Sequence, residues 1–106
     1  MRRGDLVTIA VSGDYGKPRP ALVVQADAFE LHPSVLVLPL TSEVHDAPLF
    51  RIDVVAGEAT GLLKTSQIMV DKAVAVPRSK IGASMGRVDD ATMQRVDEAL
   101  RGFLGL

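Results

Sequence analysis

Three short groups of residues carry the chemistry that this chain can offer. The first is Arg19, set between two prolines in the run Gly16-Lys17-Pro18-Arg19-Pro20-Ala21-Leu22-Val23-Val24-Gln25. Each proline fixes its own φ, removes a backbone donor and biases the residue before it toward extended angles. Arg19 therefore leaves a stiff backbone immediately before an apolar run that must be buried. A guanidinium mounted at the rim of a core, planar and permanently charged, suits a phosphate; the plainer use is an ion pair with a nearby carboxylate. The second group is Thr41, Ser42 and Glu43, which end one apolar run and open a polar loop that also holds His45. The third is Thr65, Ser66 and Gln67, at the start of another apolar run. Small polar side chains at strand ends bond to their own backbone as turn-formers, and they are also where a ligand meets polar groups.

Other chemistries find no residues to support them. His32 and His45 lie 13 apart in separate loops, there is no cysteine, and no HExxH spacing occurs. No metal site and no cofactor are therefore expected. A nucleophile elbow and a Walker loop are likewise missing. Gly13-x-x-Gly16 resembles a phosphate loop in spacing but opens onto a strand, so no helix N-terminus follows to bind an anion. What remains suits a reaction whose nucleophile belongs to the substrate. RNA supplies one in its own 2′-hydroxyl, and the protein then need only position it and neutralise charge on the phosphate.

The elements that must position these groups are short and mostly extended. With 106 residues, 47% hydrophobic and 24% charged, the chain fits a single globular domain over 1–106. Strands are expected over 6–11, 20–26, 34–40, 48–55, 65–71 and 73–77, the first two as an antiparallel hairpin around a loop at 12–18. Pro39 marks the end or an edge of the third strand. The cleanest alternation places Phe50, Ile52 and Val54 on one face, with Arg51 and Asp53 on the other. Residues 78–88, with Gly82 and Gly86, read as irregular. Asp89 or Asp90 then caps a helix whose stripe of Met93, Val96, Leu100, Phe103 and Leu104 packs on the core. The expected architecture is mainly β: a partly closed barrel with one C-terminal helix.

Neither the composition nor the chain start, Met1-Arg2-Arg3-Gly4-Asp5, offers a membrane span or a signal-peptide core, so a cytoplasmic protein is expected. The net charge of −1 gives no global attraction to nucleic acid. RNA contacts must come from local cations, for which Arg2, Arg3, Lys17 and Arg51 are available beside Arg19.

The motifs in order resemble one family across essentially the whole chain. Arg2-Arg3-Gly4-Asp5 leading to Gly16–Gln25, then Pro39-Leu40-Thr41-Ser42, then Thr65-Ser66-Gln67-Ile68 with Asp71-Lys72, then Val96-Asp97-Glu98-Ala99-Leu100, are similar to the MazF/PemK/Kid toxins of bacterial toxin–antitoxin systems. The resemblance implies an SH3-like small barrel of the CcdB/MazF/Kid type and a homodimer. It also implies a sequence-specific, metal-independent endoribonuclease that cuts single-stranded RNA to leave a 2′,3′-cyclic phosphate and a 5′-hydroxyl. It implies neutralisation by a cognate antitoxin, in a complex of the DNA-binding kind. The family's active-site arginine falls on Arg19 and its threonine on Thr41. Some members carry an acid beside an arginine in the third motif, where this chain has Thr65-Ser66-Gln67, so the general base is left to Glu43 or His45. Ser42, Ser66 and Gln67 are supporting candidates, and the loops 12–18 and 42–48 are the expected readers of RNA sequence. Two alternatives stand beside this reading. A CcdB-like gyrase poison is expected to need a tryptophan near the C-terminus, and the chain has none. A non-catalytic RNA- or protein-binding barrel would have few stacking platforms, at 4% aromatic residues.

Overall fold

The two prolines around Arg19 sit where a strand has a partner on one side alone. In the computed structural model, which describes residues 1–10 and 17–106, β1 (Asp5–Ala10) and β2 (Pro18–Val23) pair antiparallel, with Leu6 opposite Leu22 and Ile9 opposite Arg19. The glycine-containing part of the expected 12–18 loop and the last residue of the first expected strand lie outside the described residues. On its other edge β2 pairs with β3 (Ser34–Thr41) from Val23 to Ala21 and no further. Pro18 and Pro20 thus need no donor on that side.

β3 is the pivot of the sheet. One edge takes β2, and the other is divided between two partners. Ser34–Val37 pair with β6 (Val74–Pro77), and Leu40–Thr41 pair with β5 (Ser66–Met69). Pro39 does not end the strand but falls between these two ladders, where the divided edge changes partner. β5 continues to β4 (Arg51–Val54), and β1 pairs on its far side with β7 (Ile81–Arg87). The described residues form a seven-stranded antiparallel sheet, ordered β4-β5-β3-β2-β1-β7 with β6 on β3, and hydrogen bonds do not close it. This is the open form of the expected barrel.

β7 departs from the sequence reading, which took residues 78–88 as irregular. Its glycines are not breakers. A Cβ at Gly82 would collide with the Thr8 hydroxyl, and one at Gly86 with the backbone of Ala59 and Thr60. Both positions mark close approach of a neighbouring segment to the strand.

Alternation along the strands sorts the apolar residues into two clusters. Leu22, Leu38, Leu40, Ile52 and Ile68 face the helix residues Met93 and Val96. Val7, Ile9, Ala21, Val23, Val35 and Val37 form the second cluster. The helix α1 (Asp90–Leu104) is capped by Asp89, whose carboxylate accepts the Thr92 N–H at 2.8 Å, and stops at Gly105 with φ 72°. Hydrogen bonds from Thr92, side chain first and backbone second, hold the Asp89 carboxyl below its usual value, with the Arg95 charge adding to the effect. The far end of the expected stripe is not core: Phe103 is 54% and Leu104 60% exposed. α1 rests on β4 and on the turn at 70–72, and in its last turn the Phe103 ring lies 6.5 Å from that of Phe50.

Candidate active site

Strand register gathers the candidate residues into a row. Thr41 lies opposite Gln67 on β5, and Gln67 opposite Asp53 on β4. The adjacent row, Leu40–Ile68–Ile52, points into the core beneath α1. By alternation Thr41, Gln67 and Asp53 share the opposite face. The β2–β3 ladder stops at Ala21 opposite Pro39, two residues short of Arg19 on one strand and of Thr41 on the other. Arg19 is exposed there, at the mouth where β3 parts from β2 to join β5.

The loop 42–50 folds back over this row. At its start the Glu43 N–H donates to Thr41 Oγ1 at 3.1 Å. In the middle Gln67 holds both backbone groups of His45: Oε1 accepts the His45 N–H at 2.9 Å, and Nε2 donates to the His45 carbonyl at 2.8 Å. The same Nε2 donates to Asp53 Oδ1 at 2.8 Å. At the loop's end the Ala47 carbonyl accepts from Phe50 and Arg51. Gln67 is 3% exposed. Ser42, Glu43 and His45 are exposed on the loop. The loop, Gln67 and Asp53 also border a groove of about 710 Å³ against α1, whose walls include His45, Phe50, Arg95 and Phe103.

Other candidates go elsewhere. Ser66 is buried on the core-facing side, its hydroxyl donating to the Lys64 carbonyl at 3.0 Å, which is a turn bond. Thr65 is exposed just before β5. Arg51, expected to meet RNA, faces Asp71 with Nε–Oδ1 3.2 Å and Nη2–Oδ2 3.4 Å, and its guanidinium carbon sits 5.9 Å from the centre of the Phe50 ring. Arg3, with the same expectation, pairs with Asp97 on α1 and donates from Nε to the Val24 carbonyl at 2.9 Å. These two guanidiniums tie the fold together, because each lies within reach of a carboxylate that long-range packing delivers. Arg2 is exposed at the same end of the β1–β2 hairpin as Arg3, while Lys17 and Arg19 are exposed at the opposite end. The five cations do not converge.

Sequence reasoning left out Asp53, which it read as one residue of a polar strand face. It also left out the Asp5–Arg87 ion pair that fastens β1 to β7. The alternation did place Asp53 on the right face; what it could not show is the Gln67 amide opposite. Among the described residues no three His, Asp or Glu side chains stand close enough to hold a metal ion, and no helix is long and apolar enough to cross a membrane.

Comparison with known proteins bears on the family and the fold. The family described as PemK-like, MazF-like toxin of type II toxin–antitoxin system matches residues 2–104. The chain belongs to this family. Over 107 residues it is 48% identical to a protein of Mycolicibacterium smegmatis named probable endoribonuclease MazF, covering 100% of this chain and 98% of that one. Among solved structures it superposes on a mycobacterial endoribonuclease in complex with its cognate antitoxin, with a TM-score of 0.80 at 24% identity, covering 100% of this chain and 96% of that one. A MazE–MazF structure from Deinococcus radiodurans gives 0.82 at 21% identity, again over 100% and 96%. At such identity the two structures speak for the fold: the open antiparallel sheet with its C-terminal helix is the fold of PemK/MazF-like toxins.

Proposed function

We propose that this chain, acting as a single domain over 1–106, is the endoribonuclease toxin of a type II toxin–antitoxin pair and cleaves single-stranded RNA in the cytoplasm. The observation that carries the reading is the family match across residues 2–104. Endoribonuclease names among the full-length relatives support the activity and give no support to the gyrase-poison alternative. In the proposed step the ribose 2′-oxygen attacks the adjacent phosphorus, and the bond from phosphorus to the 5′-oxygen breaks. The products are a 2′,3′-cyclic phosphate and a 5′-hydroxyl. The 2′-proton passes to a base, for which Glu43 and His45 are the two candidates on the loop, and the departing 5′-oxygen takes up a proton.

A guanidinium has five N–H donors and no acceptor, so the part of Arg19 is to stabilise the charge that builds on the phosphorane, not to act as base. Thr41 orients a phosphate oxygen, and Ser42 stands beside it. Lys17 and Arg2 add phosphate contacts at opposite ends of the hairpin. Solved complexes of structural neighbours with their antitoxins support a cognate antitoxin as partner, and the working form is a homodimer.

The test is cleavage of a mixed RNA by the purified chain in EDTA, with analysis of the fragment ends. Cyclic-phosphate and 5′-hydroxyl ends are expected. A strict requirement for Mg²⁺, or products with 5′-phosphates, would overturn the mechanism. His45→Ala and Glu43→Ala, assayed side by side, identify the base by which one loses turnover.

A further inference from the structure

Four polar or charged side chains are buried among the described residues: Asp5, Ser66, Gln67 and Thr92. Ser66 answers a carbonyl two residues away, Asp5 pairs with Arg87, and Thr92 lies in the capped first turn of α1. Gln67 differs from these three. Its amide reaches 22 residues along the chain and bonds both backbone groups of one loop residue. This is the pairing that a neighbouring strand would supply, performed here by a side chain.

We propose that Gln67 is a positioning residue for RNA cleavage. Its amide, oriented by Asp53, holds the 42–50 loop so that Ser42, Glu43 and His45 stand beside Thr41. The proposal rests on the ribonuclease reading above. The orientation follows from donor and acceptor counting. An amide has two N–H donors on one side and a carbonyl on the other. The Asp53 carboxylate and the His45 carbonyl can only accept, so the NH₂ must face both, and the carbonyl is left to accept the His45 N–H. A flipped amide would set its oxygen against two acceptors and its nitrogen against a donor. Asp53 therefore selects one rotamer, and that rotamer fits one loop conformation. The loop's other bonds are local, from Glu43 to Thr41, from the Ala47 N–H to the His45 carbonyl at 3.1 Å, and from Phe50 and Arg51 to the Ala47 carbonyl. Among the described residues it is Gln67 that ties the middle of the loop to the sheet. At 3% exposure the amide is shielded from water, which strengthens all three bonds.

The experiment uses the full chain and a single-stranded RNA of mixed sequence in EDTA. Gln67→Glu keeps the shape and the acceptor for His45 but loses both donors and sets a second carboxylate beside Asp53. Its kcat should fall about 10- to 100-fold, with KM changed little, since loop misplacement affects geometry more than phosphate contact. Adding Asp53→Asn returns a donor to the pair with the roles exchanged, and should recover several-fold of the loss. Amide hydrogen exchange reports the clamp directly. In Gln67→Ala the His45 N–H should lose protection while Leu40 and Ile68 keep theirs. Wild-type kcat in Gln67→Glu, or no recovery in the double variant, would overturn the proposal. Loss of protection at Ile68 as well would also overturn it, by making Gln67 a strut of the core. If the unaltered chain leaves RNA intact, the ribonuclease reading itself fails and positioning falls with it. An active parent with an equally active Gln67→Glu rejects positioning alone.

Discussion

Thr41 Oγ1 accepts the Glu43 N–H, and this decides what the hydroxyl can offer a substrate. One lone pair is occupied and the O–H remains to donate. With its acceptor side turned to the loop, the hydroxyl's hydrogen is directed away from it, and in the proposed mechanism it meets a phosphate oxygen held by Arg19. Thr41→Val keeps the shape but removes both bonds, and should slow single-turnover cleavage of an RNA oligonucleotide by about 10- to 100-fold, the worth of one or two hydrogen bonds. Thr41→Ser should stay within a few-fold of wild type, which a purely steric role for the threonine methyl would not allow. Arg19→Ala removes a full charge from the transition state and should cost about 10²- to 10³-fold. Arg19→Lys should recover little of it, because a point charge does not replace the guanidinium fork. A near-normal rate in Arg19→Ala would remove the centre of the proposed mechanism. Circular dichroism guards the comparison, and the exposed position of Arg19 predicts an unchanged fold.

At the scale of elements, two features can be tested for stability alone. The Asp89 cap has a pKa lowered from 3.8, chiefly by the Thr92 hydrogen bonds. Its stabilisation is therefore complete above that value and is lost as the pH falls through the lower, folded-state one. Asp89→Ala should lower the melting temperature at pH 7, and the gap to wild type should close as the pH drops below about 3.8. A gap that persists in acid would mean that the charged cap is not its source. On β7, Gly86→Ala drives a methyl against the Ala59 and Thr60 backbone and should cost about 1–3 kcal/mol in chemical denaturation. Gly82→Ala meets the Thr8 hydroxyl, a side chain that can turn away, and should cost less. These glycines also show where the sequence was legible and where it was not. Local patterns spoke clearly: the proline-flanked hairpin, the Phe50–Val54 alternation and the Asp89 cap are all set by residues a few positions apart. β7 was hidden because its glycines answer to Thr8 and to Ala59–Thr60, which only folding brings near. For the same reason Thr41 and Arg19 could be singled out at strand ends, whereas the grip of Gln67 on His45 and Asp53 could not. Two of its three partners are backbone atoms, and these leave no mark in residue types.

The distribution of charge over the whole molecule determines how the chain can hold RNA. A basic groove built from Arg2, Arg3, Lys17, Arg19 and Arg51 is not what the fold makes. Arg19 and the Val24 carbonyl that holds Arg3 are five residues apart on an extended run, roughly 17 Å at 3.3 Å per residue. Arg51 and Asp71 are 13% and 21% exposed, a pair already largely withdrawn from water. Breaking it to meet a phosphate would strand the Asp71 carboxylate, so RNA should be bound without it. Salt dependence separates the two kinds of cation, because each phosphate neutralised on a single strand contributes about 0.7 to the slope of log affinity against log salt. Binding of a 2′-O-methyl RNA, which cannot supply the nucleophile, gives that slope without cleavage. Lys17→Ala should flatten it by about 0.7 and leave stability unchanged. Arg51→Ala should leave the slope alone and cost about 1–3 kcal/mol of stability, the penalty for an unpaired, largely buried charged partner. Arg51→Ala combined with Asp71→Ala should regain part of that loss, since no carboxylate is then stranded. If Arg51→Ala flattens the slope as much as Lys17→Ala does, the guanidinium leaves Asp71 when RNA arrives, and the pair is a latch on the binding surface and not a brace of the fold.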